Sequence, residues 1–239
     1  SLIFALLLLL AAGAARAQTA AVGTVTQLQG SSSVTRANGT QALQPAAQVF
    51  DDDILETGPA AKLLVTFTDG TKLTLGPSAD VIIDEFVYNP NGGANSAALQ
   101  VASGAMRLVA GAVERVGGAQ AVKVSTPVGV IGIRGTGFFV EMEENHLSVA
   151  LFSGFEVAVS NGAGETILSP GEGTDIWGPV APSQGLTWGA DRVNRALDWV
   201  TIAQTFERPL PYAQPVAVAA IPADALTLGT FKFDARYRY

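Results

Sequence analysis

The sequence holds few groups that could do chemistry, and Arg134 is the most pointed of them. It is the one charge in residues 128–140, VGVIGIRGTGFFV, a run nearly continuous in apolar residues and glycine. A guanidinium in a low-dielectric strand must be paired, and its planar fork suits a carboxylate through two bonds. The run Asp51-Asp52-Asp53 offers a partner, and a structural ion pair holding two sheets in register is favoured over a ligand contact. The same three aspartates have the hard oxygens of a calcium site. They lack the alternating D-x-D-x-D spacing and the later bidentate glutamate, so a solvated turn is expected and they stand as the candidate interaction loop.

His146, the single histidine, lies in EMEENHLSV beside Glu141, Glu143, Glu144 and Asn145. It could serve a Ser-His-Asp relay, but no G-x-S-x-G elbow accompanies it, and an exposed turn histidine is expected. Asp84 and Glu85 are adjacent in a predicted strand. Their side chains point to opposite faces and cannot jointly flank a glycosidic bond. Trp177, Trp188 and Trp199 could stack on sugars, yet their place at the junction of two structural regions favours core packing. RGTGFF has a short glycine pair but no following helix, so it is no phosphate loop. With no cysteine and one histidine, thiolate chemistry, disulfides and His-rich metal sites are excluded. No catalytic, cofactor-binding or metal residue is assigned. A net charge of −7 argues against nucleic acid as a partner.

The elements around these residues read as β-structure. Of 239 residues 48% are hydrophobic and 15% charged, with 26 glycines and 12 prolines. That composition suits a substantial core with frequent turns rather than disorder. From Val22 to about Ile176 short apolar runs alternate with Gly, Pro, Asn or Asp turns. In KLLVTFTDGTKLTL, Leu63, Val65 and Phe67 share a face, and Asp69-Gly70 predicts a hairpin before Leu73 and Leu75. Ser103-Gly104 predicts a second hairpin. The 128–140 run reads as a strand buried on both faces. The fold class expected is all-β, a sandwich or a solenoid-like stack of short antiparallel strands. Residues 187–206 place Val193, Leu197 and Val200 at helical spacing, which predicts one C-terminal amphipathic helix stopped ahead of Pro209 and Pro211.

Residues 1–10, SLIFALLLLL, followed by Ala15-Arg16-Ala17, have the form of a signal-peptide core and its cleavage site. The organisation expected is a signal peptide at 1–17, a β domain at 18–180, and a helix, Pro-rich strap and tail at 181–239. An extracytoplasmic location (periplasm, cell surface or medium) follows from that reading, with no transmembrane helix in the mature chain.

Several segments together resemble the FecR-domain family of bacterial extracytoplasmic proteins. They are GTVTQLQGSSSVTR, DDILETGPAAKLLVTFTDGTKLTLGP, ADVIIDEFVYNP, and KVSTPVGVIGIRGTGFFV with SGFEVAVSNG after it. The resemblance runs from about residue 22 to 176 and rests most on the strand-DG-strand-LGP run and on STP-x-G-x-x-G-I-R-G-T. It implies a β-rich, non-enzymatic extracytoplasmic domain that binds a protein or a glycan. Arg134, Gly135 and Thr136 carry over as motif residues with a mainly structural role. The cytoplasmic anti-sigma segment and membrane span of the family's sigma regulators are not found in these 239 residues.

Three functional readings follow. The first is a binding or sensory module in the bacterial envelope, without cofactor, whose acidic loops at 51–53 and 141–144 favour basic partners. The alternatives are a structural protein that self-associates through its sheets and a carbohydrate-active enzyme.

Overall fold

The computed structural model describes residues 20–202 except 118–120 and 135–136. The segments expected to be a signal peptide, a Pro-rich strap and a tail lie outside the described residues. Among the described residues seventeen strands, numbered in chain order, form two sheets that share one long strand. Across the first sheet the order is β4 (Gln48–Val49), β1 (Gly23–Gln29), β6 (Lys62–Phe67), β7 (Lys72–Leu75) and β9 (Ser96–Val109). It continues with β12 (Gly137–Glu143), β13 (His146–Ser153), β16 (Glu172–Trp177) and β17 (Leu186–Thr187). Across the second it is β3 (Gly39–Ala42), β2 (Ser32–Arg36), β5 (Ile54–Thr57), β8 (Asp80–Val87) and again β9. Beyond β9 come β10 (Val122–Ser125), β11 (Val130–Arg134), β14 (Glu156–Asn161) and β15 (Gly164–Leu168). The all-β expectation holds. The chain lays strands down alternately on the two sheets, so the domain has both the two layers of a sandwich and the stepwise growth of a stack.

Period-two alternation explains why these segments pair as they do. In β6, Leu63, Val65 and Phe67 are buried while their neighbours are not. They meet Val81, Ile83, Leu99, Ile131 and Val159 from the other sheet in one core. Each such side chain removed from water contributes about 1.5–3 kcal/mol. The Asp69-Gly70 hairpin forms as expected, with Leu63 opposite Leu75. Its Asp69 carboxylate also accepts the Thr71 and Val113 amides, which ties the turn to a short helix α1 (Ala112–Gly117).

Three expectations require correction. The chain does not reverse at Ser103-Gly104. β9 runs straight through for 14 residues and passes from the second sheet to the first. Gly104 takes φ +80°, and a Cβ there would lie 2.4 Å from Ala79 Cα and 2.5 Å from the Ser78 carbonyl oxygen. The glycine thus lets β9 bend against the corner before β8 rather than turn back. Gly104→Ala is expected to cost about 2–3 kcal/mol in urea unfolding; a loss below half of that would show that the corner yields. Second, not every pair is antiparallel. β10 runs parallel to β9, with Val122 beside Ala97, because the connection from β9 through α1 carries the chain back across the sheet. Third, burial on both faces belongs to β12 and not to β11. Gly137, Phe138, Phe139 and Val140 are all buried, whereas in β11 only Ile131 and Ile133 are.

Phe138 joins the main core and Phe139 points to the outer face of the first sheet. There it packs with Ala105, Ala150, Trp188, Ala196 and Val200 under helix α2 (Ala190–Val200). This helix is shorter than the 187–206 expected. Lys62 Nζ donates to the Asp198 and Thr201 carbonyls, satisfying orphan acceptors at the helix end and placing a cation at its negative pole. Thr201 is already extended, so the helix stops well before Pro209.

Candidate functional site

The outer face of the first sheet carries a hydrogen-bonded polar cluster. Strand register sets it out in rows. Ala105 of β9, Glu141 of β12, Ser148 of β13 and Asp175 of β16 stand opposite one another across four strands. Two residues further along, Glu143, His146 and Trp177 form the next row. α2 covers the sheet on the side of Phe139, and its first turn reaches the nearer row through Arg192.

Arg192 grips Asp175 with both arms of its guanidinium, at 2.6 and 3.0 Å, while stacking over the Trp188 ring at 3.7 Å. Ser148 Oγ donates to the same carboxylate at 2.7 Å and accepts from Arg192 at 3.1 Å. His146 Nε2 lies 3.0 Å from Asp175 Oδ1, and its ring stacks on Trp177 at 3.7 Å between centroids. Burial pushes the Asp175 carboxyl up, but the Arg192 and Ser148 hydrogen bonds and the Arg192 charge outweigh it and hold the group below its ordinary range. Asp175 therefore anchors the helix to the sheet.

Serine, histidine and aspartate are together here, yet not as a nucleophilic relay. That relay needs aspartate on one imidazole nitrogen and serine on the other. In this cluster Ser148 and Asp175 both face His146 Nε2, at 3.4 and 3.0 Å. Ser148 is 1% exposed, and its proton is given to the carboxylate. The arrangement suits positioning.

Beyond this anchor the surface opens into a groove of about 840 Å³. Glu141, Glu143, Glu144, His146, Trp177 and Trp199 give it its chemistry, with Pro59, Pro77 and Gly104 also lining it. Among the described residues its lining has three glutamates and no lysine or arginine. Trp177 is 63% exposed. The two-residue turn Glu144-Asn145 is pinned by the Gly178 amide on the Asn145 carbonyl at 2.7 Å. Burial, and then the neighbouring Glu143, push the Glu141 carboxyl up to about 7 against the opposing pull of Arg192 and Arg195.

The structure places the residues singled out in the sequence as follows. Arg134 is half exposed and pairs with Glu156, its cross-strand neighbour, at 3.1 Å; Asp51, Asp52 and Asp53 are not its partners. Gly135 and Thr136 lie outside the described residues. Asp51-Asp52-Asp53 forms a turn, but not a solvated acidic loop. Asp53 is 1% exposed and holds Arg36 through bonds of 2.5 and 2.7 Å. Asp51 accepts the Phe86 amide at 2.8 Å; burial raises its carboxyl, and that bond partly offsets the rise. Only Asp52, at φ 65°, points to solvent. His146 opens β13 instead of sitting in a turn. The tryptophans divide: Trp188 is buried, Trp199 half-buried, and Trp177 exposed. Asp175 and Arg192 gave no signal in the sequence, where they read as ordinary surface charges. Among the described residues no group of three His, Cys, Asp or Glu could hold a metal ion, and no helix is long and apolar enough to cross a membrane.

The fold and site define a two-sheet, all-β domain bearing one acidic, aromatic groove. Residues 53–155 match the family model described as FecR protein. Two crystal structures of a "putative anti-sigma factor" from Parabacteroides distasonis are similar at 16% identity. Their TM-scores are 0.48 and 0.47, over 60% of this chain and 63% or 64% of theirs. The likeness therefore spans somewhat less than two thirds of their length. No curated protein matches the sequence significantly.

Proposed function

We propose that this FecR-like protein is an exported, non-enzymatic recognition module of the bacterial envelope, binding a partner through the groove beside α2. The observation that carries the reading is the open groove with Trp177 exposed on its floor. A large aromatic left in water beside a rigidly anchored helix has the makings of an interface anchor. The Ser148–His146–Asp175 set supports the non-enzymatic reading, since its hydrogen bonds are spent on fixing Arg192. The apolar leader at residues 2–10 supports export.

The test is capture from a bacterial envelope extract by the tagged full chain and by its Trp177→Ala variant, with crosslinking and mass spectrometry. One defined component recovered by the parent and lost with Trp177→Ala is the expected result. Equal recovery of the same components by both would overturn the reading of the groove.

A further inference from the structure

The groove's charge and dimensions narrow what it can hold, given the recognition role proposed above. We propose that it docks an extended, lysine- or arginine-bearing peptide segment of a partner protein, with Glu143 and Glu141 taking the cation and Trp177 stacking against its side chain.

Charge comes first. Among the described residues three glutamates line the groove with no lysine or arginine, and His146 is the one other ionisable side chain there. A neutral sugar seated on this floor would strip water from carboxylates and give no countercharge, which is costly. A guanidinium or ammonium supplies that charge. The aromatic ring makes the second point: one face of Trp177 lies on His146, and its 63% exposure leaves the other free for a cation–π contact. Length makes the third. The groove crosses the bend of β9 at Gly104 and the ends of β12, β13 and β16, four strands spaced about 4.8 Å apart, or roughly 14 Å in all, the reach of about four extended residues.

Binding should also sense pH. Glu141 faces Glu143 on its own strand, Ser148 on β13, Asp175 on β16, and Arg192 and Arg195 on α2, with His146 opposite Glu143 in the next row. Near pH 7 it passes from neutral to anionic. Its charged fraction rises from about a tenth at pH 6 to about nine tenths at pH 8. The sign is fixed: a cation binds the anionic form, so affinity increases with pH over this window.

The experiment titrates the full chain, by tryptophan fluorescence at low salt, with three hexapeptides. One carries two arginines, the second citrulline in their place, the third glutamate. The arginine peptide is expected to bind at least about tenfold more tightly than the citrulline one. Trp177→Ala should weaken it roughly tenfold, read by calorimetry because the reporter is removed, and Glu143→Gln about three- to fivefold. Affinity should rise several-fold from pH 6 to 8, and Glu141→Gln should flatten that rise while leaving the fold intact. Equal binding of arginine and citrulline peptides would overturn the inference. So would arginine binding indifferent to Trp177 and Glu143, which is attraction to overall negative charge. A pH rise persisting in Glu141→Gln would remove Glu141 from the site. If no peptide binds while Trp177→Ala still abolishes envelope capture, the cationic partner is wrong and the recognition module stands; if capture too ignores Trp177, both fall.

Discussion

Asp53→Ala is expected to destabilise the domain by about 3 kcal/mol, because it strands a charge that the fold has enclosed. Asp53 is 1% exposed and makes two bonds to Arg36 and one to the Phe50 amide. Arg36 also donates to the Gln48 carbonyl and lies over the Phe50 ring. Those contacts fix the guanidinium in place, so it cannot simply swing into water when its partner is removed. Its partial exposure keeps the expected loss at the lower end of the range for broken buried pairs. Urea unfolding should show a lower midpoint with an unchanged slope. Adding Arg36→Met should restore part of the loss, since the stranded charge goes with it. A loss below 1 kcal/mol for Asp53→Ala would mean that water reaches the pair.

Phe139→Ala should cost about 3–5 kcal/mol and should release α2. Phe139 is fully buried and sits edge-on to Trp188 at 6.2 Å. It is the central side chain of the small outer cluster, where Ala196 and Val200 dock the helix. Phe138, one residue earlier, is equally buried but faces the main core. Phe138→Ala should therefore cost a similar amount in global stability without singling out the helix. Hydrogen exchange separates the two: in Phe139→Ala the amides of residues 193–200 should lose protection before the strands do. Because Trp199 lines the groove and Arg192 anchors its edge, this variant should also weaken partner capture. If the helix kept its protection, the Asp175–Arg192 and Lys62 contacts would be the dominant tethers.

Much of the β architecture was legible in the sequence because alternation is a local signal. Leu63, Val65 and Phe67 announced their face, and Asp69-Gly70 its turn. Ser103-Gly104 misled for a physical reason: a glycine with positive φ beside serine looks the same in a hairpin turn as in a strand bent over a neighbouring backbone. The parallel β9–β10 pair was hidden likewise, since it depends on where a crossover returns the chain. Arg134 was expected to be paired because its strand read as buried; it is exposed, and its pairing follows from the register of β11 on β14 in the same sheet, which places Glu156 opposite it. The groove itself is a tertiary object. Glu141, Trp177 and Trp199 come from two strands and a helix, and His146 finds Asp175 only because β13 pairs with β16.

The most direct measurement of the central claim is site-specific photocrosslinking in cells, with a benzophenone amino acid in place of Trp177 or of Phe155. Phe155 is 87% exposed in the β13–β14 turn, and its amide donates to the Arg134 carbonyl at 3.2 Å, so it reports on the motif end of the domain. The account predicts a discrete crosslinked partner from position 177 and none from 155. A partner captured from 155 and not from 177 would contradict it, and would move recognition from the groove to the motif end.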